Sequence, residues 1–162
     1  VEDIKINPER ETMGSTVVAA LVHDQRVTLA HVGDSRAYLL NPDGIKQITR
    51  DHSWVADQVA IGVLTLAEAR VHPFRNVITQ ALGNGGELDV AVQEFEMGKM
   101  DRLLLCSDGL SGMVSDQDIL EIVQKAASTQ EAVEKLIERA RDNGGEDNIT
   151  AVLVGFRDDA QS

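Results

Sequence analysis

Short apolar segments joined by tight turns fill the first third of the chain, and this alternation restricts the fold more than any other feature. Residues 41–44, Asn-Pro-Asp-Gly, are a strong turn signal, and residues 23–25 form another polar break. Strands joined by such short connections pair as antiparallel neighbours. The predicted strands are residues 15–22, 26–32, 36–40, 45–48, 77–81, 88–95, 102–106 and 149–156.

Two amphipathic helices follow the main block of strands. Ser115 is predicted to cap the first helix, and Ser128 with Glu131 forms a capping box for the second. The Gly-Gly pair at 144–145 is expected to end the second helix. Because strands and helices occur in separate blocks, the predicted fold class is α+β. With a length of 162 residues and 43% hydrophobic content, residues 1–162 are expected to form a single domain.

Residues 51–75 interrupt the strand pattern. Residues 53–61 are predicted to form a short helix. A capping box from Thr65 to Glu68 predicts another short helix, which stops before Pro73. We expect this segment to lie as a flap over the edge of the sheet.

Three aspartates lie where apolar strand-like segments meet glycine-containing turns, namely Asp34, Asp108 and Asp147. Carboxylates that converge without cationic partners repel one another unless a hard cation lies between them. The pattern therefore indicates a Mg²⁺ or Mn²⁺ site, and a hydrolase. Aspartate is also common in turns, so each residue taken alone has a purely structural alternative. For Asp34 that alternative is a hairpin residue paired with Arg36.

Four motifs, taken in order, resemble the PP2C-type metal-dependent protein serine/threonine phosphatases. They are Met-Gly-Ser-Thr at 13–16, Gly-Asp-Ser-Arg at 33–36, Ser-Asp-Gly-Leu at 107–110 and Glu-Asp-Asn-Ile-Thr at 146–150. The bacterial branch of the family is the nearer likeness, through Asp-His-Ser at 51–53 and the segment 62–79. The resemblance extends from about Met13 to Phe156, which is nearly the whole chain.

The resemblance implies an antiparallel β-sandwich flanked by helices, in an enzyme that hydrolyses phosphoserine and phosphothreonine in proteins. It implies that Asp108 and Asp147 bind a catalytic Mg²⁺ or Mn²⁺, and that Asp34 shares a third, weaker metal with Asp108. In this family divalent cations activate a water for in-line attack on phosphorus. No covalent phosphoenzyme is implied, so Cys106 and Ser107 are expected to be structural.

Two other chemical interpretations were weighed. Residues 33–37 match a nucleophile elbow centred on Ser35, but that motif requires a helix after the turn. Residues 37–40 continue as a strand, so a serine hydrolase is disfavoured. His52 is a candidate proton donor near a substrate, and the alternative is an exposed histidine with a structural role. The histidines show no metal-ligand spacing.

The sequence departs from the family in lacking the motif Asp-Gly-x-Gly-Gly-His, since its Asp-Gly pairs are at 43–44 and 108–109. In the family that motif supplies the aspartate that bridges two metals, and an upstream arginine binds phosphate. We therefore expect the C-terminal two thirds of a phosphatase domain, N-terminally incomplete and impaired in activity. The alternatives are a non-catalytic PP2C-like binding or regulatory module and a half-domain completed by a partner chain. A homodimer or a complementing chain is expected to cover the open edge at residues 15–22.

The chain is strongly acidic, with a net charge of −12. Nucleic acid and anionic membranes are therefore unfavourable partners, and no apolar stretch reaches the ~20 residues that span a bilayer. A phosphoprotein substrate would be repelled at long range unless bound divalent cations reversed the local field. The single cysteine, Cys106, is expected to be a buried free thiol, and a cytoplasmic location is expected.

Overall fold

The computed structural model describes residues 14–83 and 87–156, and these form two antiparallel sheets with helices. The strands are β1 (Val17–His23), β2 (Arg26–Val32), β3 (Arg36–Asn41), β4 (Gly44–Gln47), β5 (Ala91–Glu96), β6 (Arg102–Cys106) and β7 (Ala151–Gly155). The helices are α1 (Trp54–Ala60), α2 (Leu66–Val71), α3 (Asp108–Ser111), α4 (Asp116–Lys125) and α5 (Thr129–Asp142). The first sheet has the order β1-β2-β5 and the second β4-β3-β6-β7, which confirms the predicted α+β class.

The two sheets pack face to face around a shared hydrophobic core. Val27 and Leu29 of β2 contact Ala37 of β3 and Leu103 of β6, and all four side chains are at most 1% exposed. These residues lie on the inward face of each strand because side chains alternate along a strand. A register slip by one residue would turn this apolar face to solvent, so the pairing is firmly specified.

The outer face of the second sheet is covered by the two long helices. Tyr38 and Leu104 point to this side and pack with Ile119 of α4 and Leu136 of α5. Strand β6 therefore contributes apolar side chains to both of its faces, which explains its continuous apolar sequence. Because the metal-binding candidate Asp108 follows this strand directly, its backbone is anchored in the most buried part of the fold.

Hydroxyl caps begin both long helices, as predicted, but the capping box predicted for α5 is incomplete, because the Glu131 carboxylate accepts from the Ala127 amide and not from that of Ser128. Ser115 Oγ accepts a hydrogen bond from the Asp118 amide at 3.1 Å, and Ser128 Oγ accepts one from the Glu131 amide at 3.1 Å. Gly145, with a φ of +56°, lies just beyond the end of α5 in the left-handed conformation that glycine favours. The helix boundaries are thus fixed by local chemistry.

One predicted strand, 77–81, is wrong. This segment makes only an isolated bridge between Ile78 and Ser53. Val77 and Ile78 are 44% and 40% exposed, so the β-branched residues have no buried face to pack against. The strand predicted at 88–95 is the shorter and slightly later β5.

The segment 51–75 contains α1 and α2, and the predicted capping box is present. Thr65 Oγ1 accepts from the Glu68 amide, and the Glu68 carboxylate accepts from the Thr65 amide. That this segment acts as a flap over the sheet edge stays a prediction. Within the described ranges, no helix is long and apolar enough to cross a membrane.

Candidate metal centre

Asp34 lies in the connection between the two sheets. Residues 33–35 lead from β2 in the first sheet to β3 in the second, so this turn is not a hairpin. Gly33 has a φ of +104°, and a Cβ there would overlap the side chain of Thr16. The Thr16 and Ser35 hydroxyls are 2.9 Å apart and hydrogen-bonded. Asp34 is thus held on a tightly packed crossover at one end of the sandwich.

The structural alternative for Asp34, a hairpin residue paired with Arg36, is wrong. The Arg36 guanidinium binds Asp51 instead, with Nε 2.9 Å from Oδ1 and Nη2 2.7 Å from Oδ2. The Arg36 and Asp51 side chains are only 25% and 13% exposed, so this ion pair is partly shielded from water. Asp34 forms no ion pair with any described lysine or arginine.

The Asp34 carboxyl is electrostatically strained. Burial, followed by the negative charge of Asp108, raises the pKa of Asp34 to about 6. Both causes disfavour the ionised form, and both would be relieved by a cation between the two carboxylates. The charge of Asp108 thus acts on Asp34, although the two residues are far apart in sequence and follow strands of different sheets.

Asp108 begins the short helix α3, immediately after the end of β6. Its Oδ1 accepts a hydrogen bond from the Gly109 amide at 2.9 Å, while the rest of the carboxylate is exposed. Gly109 is buried against the loop that carries Asp147, and a Cβ at Gly109 would overlap the Asn148 carbonyl oxygen. The absence of a side chain at Gly109 thus allows the two acidic loops to touch.

Ser107 fastens the Asp147 loop to the end of β6. Its Oγ donates to the Asn148 carbonyl at 2.9 Å and accepts from the Thr150 amide at 3.0 Å. The Ser107 amide also donates to the Thr150 carbonyl at 3.1 Å. Asp147 itself is exposed, and its Oδ1 accepts from the Asn148 amide at 2.6 Å. Asp108 and Asp147 are therefore presented from adjoining, mutually bonded loops.

The three aspartates fit a hard divalent cation in chemistry but form an open set of ligands. Carboxylate oxygens are the donors that Mg²⁺ and Mn²⁺ prefer. Neither Asp108 nor Asp147 has a cationic partner within 14–83 and 87–156. In the same ranges no three acidic, histidine or cysteine side chains converge closely enough to enclose a metal. The described residues therefore do not enclose a metal ion by themselves, and a complete site would need further ligands.

His52 is a structural residue in this fold, and it is half-buried, not exposed. Its amide donates to the Gly33 carbonyl at 2.9 Å, and its Nδ1 accepts from the Gly33 amide at 3.3 Å. Burial and the neighbouring His31 lower the pKa of His52, which favours the neutral ring that this bond requires. In this arrangement Nδ1 carries no proton, so His52 cannot donate a proton to a substrate from that atom.

Sequence reasoning missed the contact between His31 and His52. Their rings stack with centroids 4.8 Å apart, and His31 is 1% exposed. His31 Nε2 donates to the Arg50 carbonyl at 2.8 Å. The two histidines line one side of a cavity of ≈ 330 Å³ that also borders Asp51. Spacing along the chain gives no sign of this contact, because a strand and a loop supply one histidine each.

Comparison with known proteins identifies the class to which this fold and site belong. The family model for protein phosphatase 2C matches residues 2–58 and 89–149, so the chain belongs to the PP2C family. It is 41% identical over 142 residues to the serine/threonine phosphatase Stp of Listeria innocua, covering 88% of this chain and 56% of that protein. It is 42% identical over 155 residues to the phosphatase PstP of Mycobacterium tuberculosis, covering 96% of this chain and 30% of PstP.

Solved structures agree with the fold. Stp1 from Staphylococcus aureus superposes with a TM-score of 0.92 at 38% identity, covering 97% of this chain and 62% of Stp1. The PstP catalytic domain in complex with 2 manganese ions superposes with a TM-score of 0.85 at 39% identity, covering 94% of this chain and 63% of that domain. The chain therefore spans between half and two thirds of these phosphatases, apart from the longer full-length PstP.

Proposed function

We propose that this chain is part of a metal-dependent phosphatase that hydrolyses phosphoserine and phosphothreonine in proteins. The observation that carries the proposal is the contact between the Asp108 and Asp147 loops, made by Gly109 with Asn148 and by the hydrogen bonds of Ser107, with the charge of Asp108 also acting on Asp34. Similarity to proteins named serine/threonine phosphatases supports the reaction and the substrate class, a phosphoprotein. We also propose a cytoplasmic location, with which a single, buried cysteine, Cys106, is consistent.

Asp108 and Asp147 are proposed to bind one Mg²⁺ or Mn²⁺, and Asp34 is proposed to share a further cation with Asp108. A bound divalent cation supplies Lewis-acid chemistry at a phosphoryl group. The chain's own contribution is to hold these carboxylates, without ion-pair partners in the described ranges, at one end of the sandwich. The complex of PstP with 2 manganese ions supports a metal requirement but leaves the choice between Mg²⁺ and Mn²⁺ open.

Cys106 and Ser107, the nucleophilic side chains next to Asp108, are used for structure, which supports hydrolysis without a covalent intermediate. Cys106 is 3% exposed, and burial raises the pKa of its thiol to about 12. The Ser107 hydroxyl already bonds Asn148 and Thr150. Neither group is free to attack phosphorus, in contrast to the nucleophiles of enzymes that form covalent intermediates.

A second proposal concerns association with another polypeptide, either a second copy or a complementing chain. Strand β1 is the outer strand of its sheet among the described residues. Its outward face and that of β5 carry Val17, Leu21 and Val92, which are 38%, 71% and 60% exposed. Open edges and contiguous apolar faces favour pairing with another chain. This observation supports association with another chain, and it does not favour a non-catalytic module over the phosphatase.

The function is tested by metal binding and by hydrolysis, each with matched variants. The 162-residue chain is expected to bind Mn²⁺ in the millimolar range or more weakly, because few carboxylates are gathered. It is expected to hydrolyse a phosphothreonine peptide very slowly or not at all. Asp108→Asn and Asp147→Asn should remove the residual binding, while Asp142→Asn, a change at the exposed end of α5, should preserve it.

Hydrolysis is tested by fusing the chain to the N-terminal segment of Listeria innocua Stp, a relative that is 41% identical. The fusion is expected to hydrolyse the peptide with Mn²⁺, and Asp108→Asn should abolish this activity. A folded fusion that binds Mn²⁺ yet releases no phosphate would overturn the enzymatic proposal. Strong activity in the 162-residue chain alone would instead show that its metal centre is more complete than proposed.

A further inference from the structure

Two consecutive residues, Asp51 and His52, hold the chain on both sides of Asp34. His52 bonds both polar backbone groups of Gly33, through its amide at 2.9 Å and its Nδ1 at 3.3 Å. Asp51 binds the guanidinium of Arg36 through bonds from Nε and Nη2. The residue before Asp34 and the second residue after it are thus fixed by one dipeptide that lies outside the Asp34 turn.

This dipeptide is itself anchored to the strand that leads into the turn. His31 of β2 donates from Nε2 to the Arg50 carbonyl at 2.8 Å and stacks on the His52 ring. His31 is 1% exposed, so this anchor lies in the protein interior. The end of β2, the Asp34 turn and segment 50–52 therefore form one closed set of contacts.

The charge of Arg36 is directed away from Asp34 by the same contacts. Arg36 is two residues from Asp34 and is the cation closest to it in sequence. Its guanidinium is occupied by Asp51 and by the Tyr38 hydroxyl, to which Nη1 donates at 3.0 Å. Without Asp51, the Arg36 guanidinium would lose its carboxylate partner and be free to turn to another carboxylate.

We propose that Asp51 and His52 are positioning residues for the metal ligand Asp34. His52 fixes the Gly33 peptide by its two hydrogen bonds. Asp51 binds the Arg36 guanidinium and so prevents it from pairing with the Asp34 carboxylate. The inference rests on the proposed function in that it takes Asp34 as a ligand. Neither residue touches the cation or the substrate in this role. Partners that orient a metal ligand commonly affect metal affinity about 10- to 100-fold when removed.

The first test needs no metal, because it measures the orientation of Asp34 by NMR. Three-bond couplings report the χ1 rotamer of Asp34 in the folded chain. We expect one rotamer in the parent chain, rotamer averaging in His52→Ala, and recovery in His52→Asn, whose amide oxygen replaces Nδ1 as acceptor. Asp57→Asn, which breaks only an exposed ion pair with Arg50, is the control and should leave the coupling unchanged.

Equal couplings at Asp34 in the parent chain and His52→Ala would overturn the inference. So would averaging that spreads equally to Asp108 and Asp147, because that result indicates general loosening. Asp51→Asn leaves Arg36 partly buried without its partner and is at risk of unfolding. The double variant Arg36→Gln with Asp51→Asn removes both charges and keeps the question testable.

The second test uses Mg²⁺ as the probe, through chemical-shift changes of backbone amide signals. A diamagnetic ion shifts mainly the amides close to it, so neighbouring ligand pairs can be told apart. In His52→Ala we expect the Mg²⁺ concentration that shifts residues 33–35 to rise about tenfold or more, with residues 147–148 unaffected. Asp51→Asn should show the same loss and the double variant with Arg36→Gln should reverse it. A loss that the double variant does not reverse contradicts the role given to Arg36.

The two tests separate failure of the inference from failure of the proposed function. Mg²⁺-induced shifts that are absent near all three aspartates in the parent chain, together with no Mn²⁺ binding by calorimetry, contradict metal binding and thus the proposed function. In that case the coupling measurement still decides whether Asp51 and His52 orient Asp34. Unchanged Mg²⁺-induced shifts near residues 33–35 in a folded His52→Ala chain contradict the positioning role alone.

Discussion

Gly109 and the carbonyl group of Asn148 are in direct van der Waals contact, and a Cβ at residue 109 would lie 2.9 Å from the Asn148 carbonyl carbon. This contact joins the start of α3 to the loop before β7. It is made by backbone atoms, which cannot move aside as the end of a flexible side chain can. The spacing of Asp108 and Asp147 therefore depends on the absence of a side chain between them.

Gly109→Ala is expected to destabilise the chain by about 1–3 kcal/mol, the usual cost of inserting a carbon into a packed site. The matched control is Gly44→Ala, because a Cβ at Gly44 meets no atom within 4 Å. That control should change the free energy of unfolding by less than ~0.5 kcal/mol. Urea unfolding measures both. Equal effects of the two substitutions would show that the loops separate at no cost.

Asp34 is expected to make the chain less stable as pH rises from about 4 to about 6. The folded pKa of Asp34 is raised to about 6, above its ordinary value of 3.8, so the folded state binds the proton more tightly. The stabilisation from the protonated carboxyl is present below pH 3.8 and is lost as pH rises through about 6. Asp34→Asn should therefore gain stability relative to the parent chain at pH 7.5.

The expected gain for Asp34→Asn at pH 7.5 is on the order of 1 kcal/mol, discounted because the carboxyl is partly exposed to solvent. Thermal unfolding at pH 4 and pH 7.5 measures it, and Asp43→Asn in the exposed turn serves as the control. If the parent chain and Asp34→Asn show the same pH dependence, then burial and the charge of Asp108 do not raise the pKa of Asp34.

Cys106 is expected to resist thiol reagents in the folded chain. Its side chain is 3% exposed, and burial raises its pKa to about 12, so almost no thiolate exists at pH 8. A chromogenic disulfide reagent should label it only after addition of denaturant. A Cys106→Ala chain that also carries Asp43→Cys provides an exposed thiol as the reactive control. Rapid labelling of native Cys106 would mean that the core around β6 opens readily.

Leu21→Lys is expected to weaken self-association of the chain. Leu21 is 71% exposed on the outward face of β1, and a charge there opposes contact with an apolar partner surface. Leu66→Lys is the matched control, since Leu66 on α2 is 73% exposed but lies on another part of the surface. Light scattering should show a smaller mass for Leu21→Lys alone. A parent chain that is already a monomer contradicts the proposed association with a second copy.

Elements specified by local chemistry were predictable from the sequence. The predicted strand 26–32 coincides with β2, and the serine caps of α4 and α5 lie where expected. Each of these signals is complete within a few residues. By contrast, the exposed segment 77–81 has strand-like composition but no packed face, and composition cannot report burial.

The division into two sheets was not readable from the residues alone. The turn at 33–35 is as short as a hairpin turn, yet the chain crosses from one sheet to the other there. For the same reason, the hairpin interpretation pairs Arg36 with Asp34, whereas the ion-pair partner of Arg36 in the fold is Asp51, 15 residues away. Pairings over such separations depend on tertiary packing, which no periodicity or capping motif encodes.

Asp34 lies where the chain crosses between the sheets, so the Asp34 and Asp108 pair responds to sheet movement differently from the Asp108 and Asp147 pair. Asp108 and Asp147 are both attached to the second sheet, and Ser107 ties their loops together. Asp34 is attached to both sheets. Sliding of one sheet over the other therefore changes the distance between Asp34 and Asp108 and leaves the distance between Asp108 and Asp147 unchanged. Substitutions that soften the core between Leu29 and Leu103 should therefore loosen a cation shared with Asp34 while the Asp108 and Asp147 pair keeps its geometry.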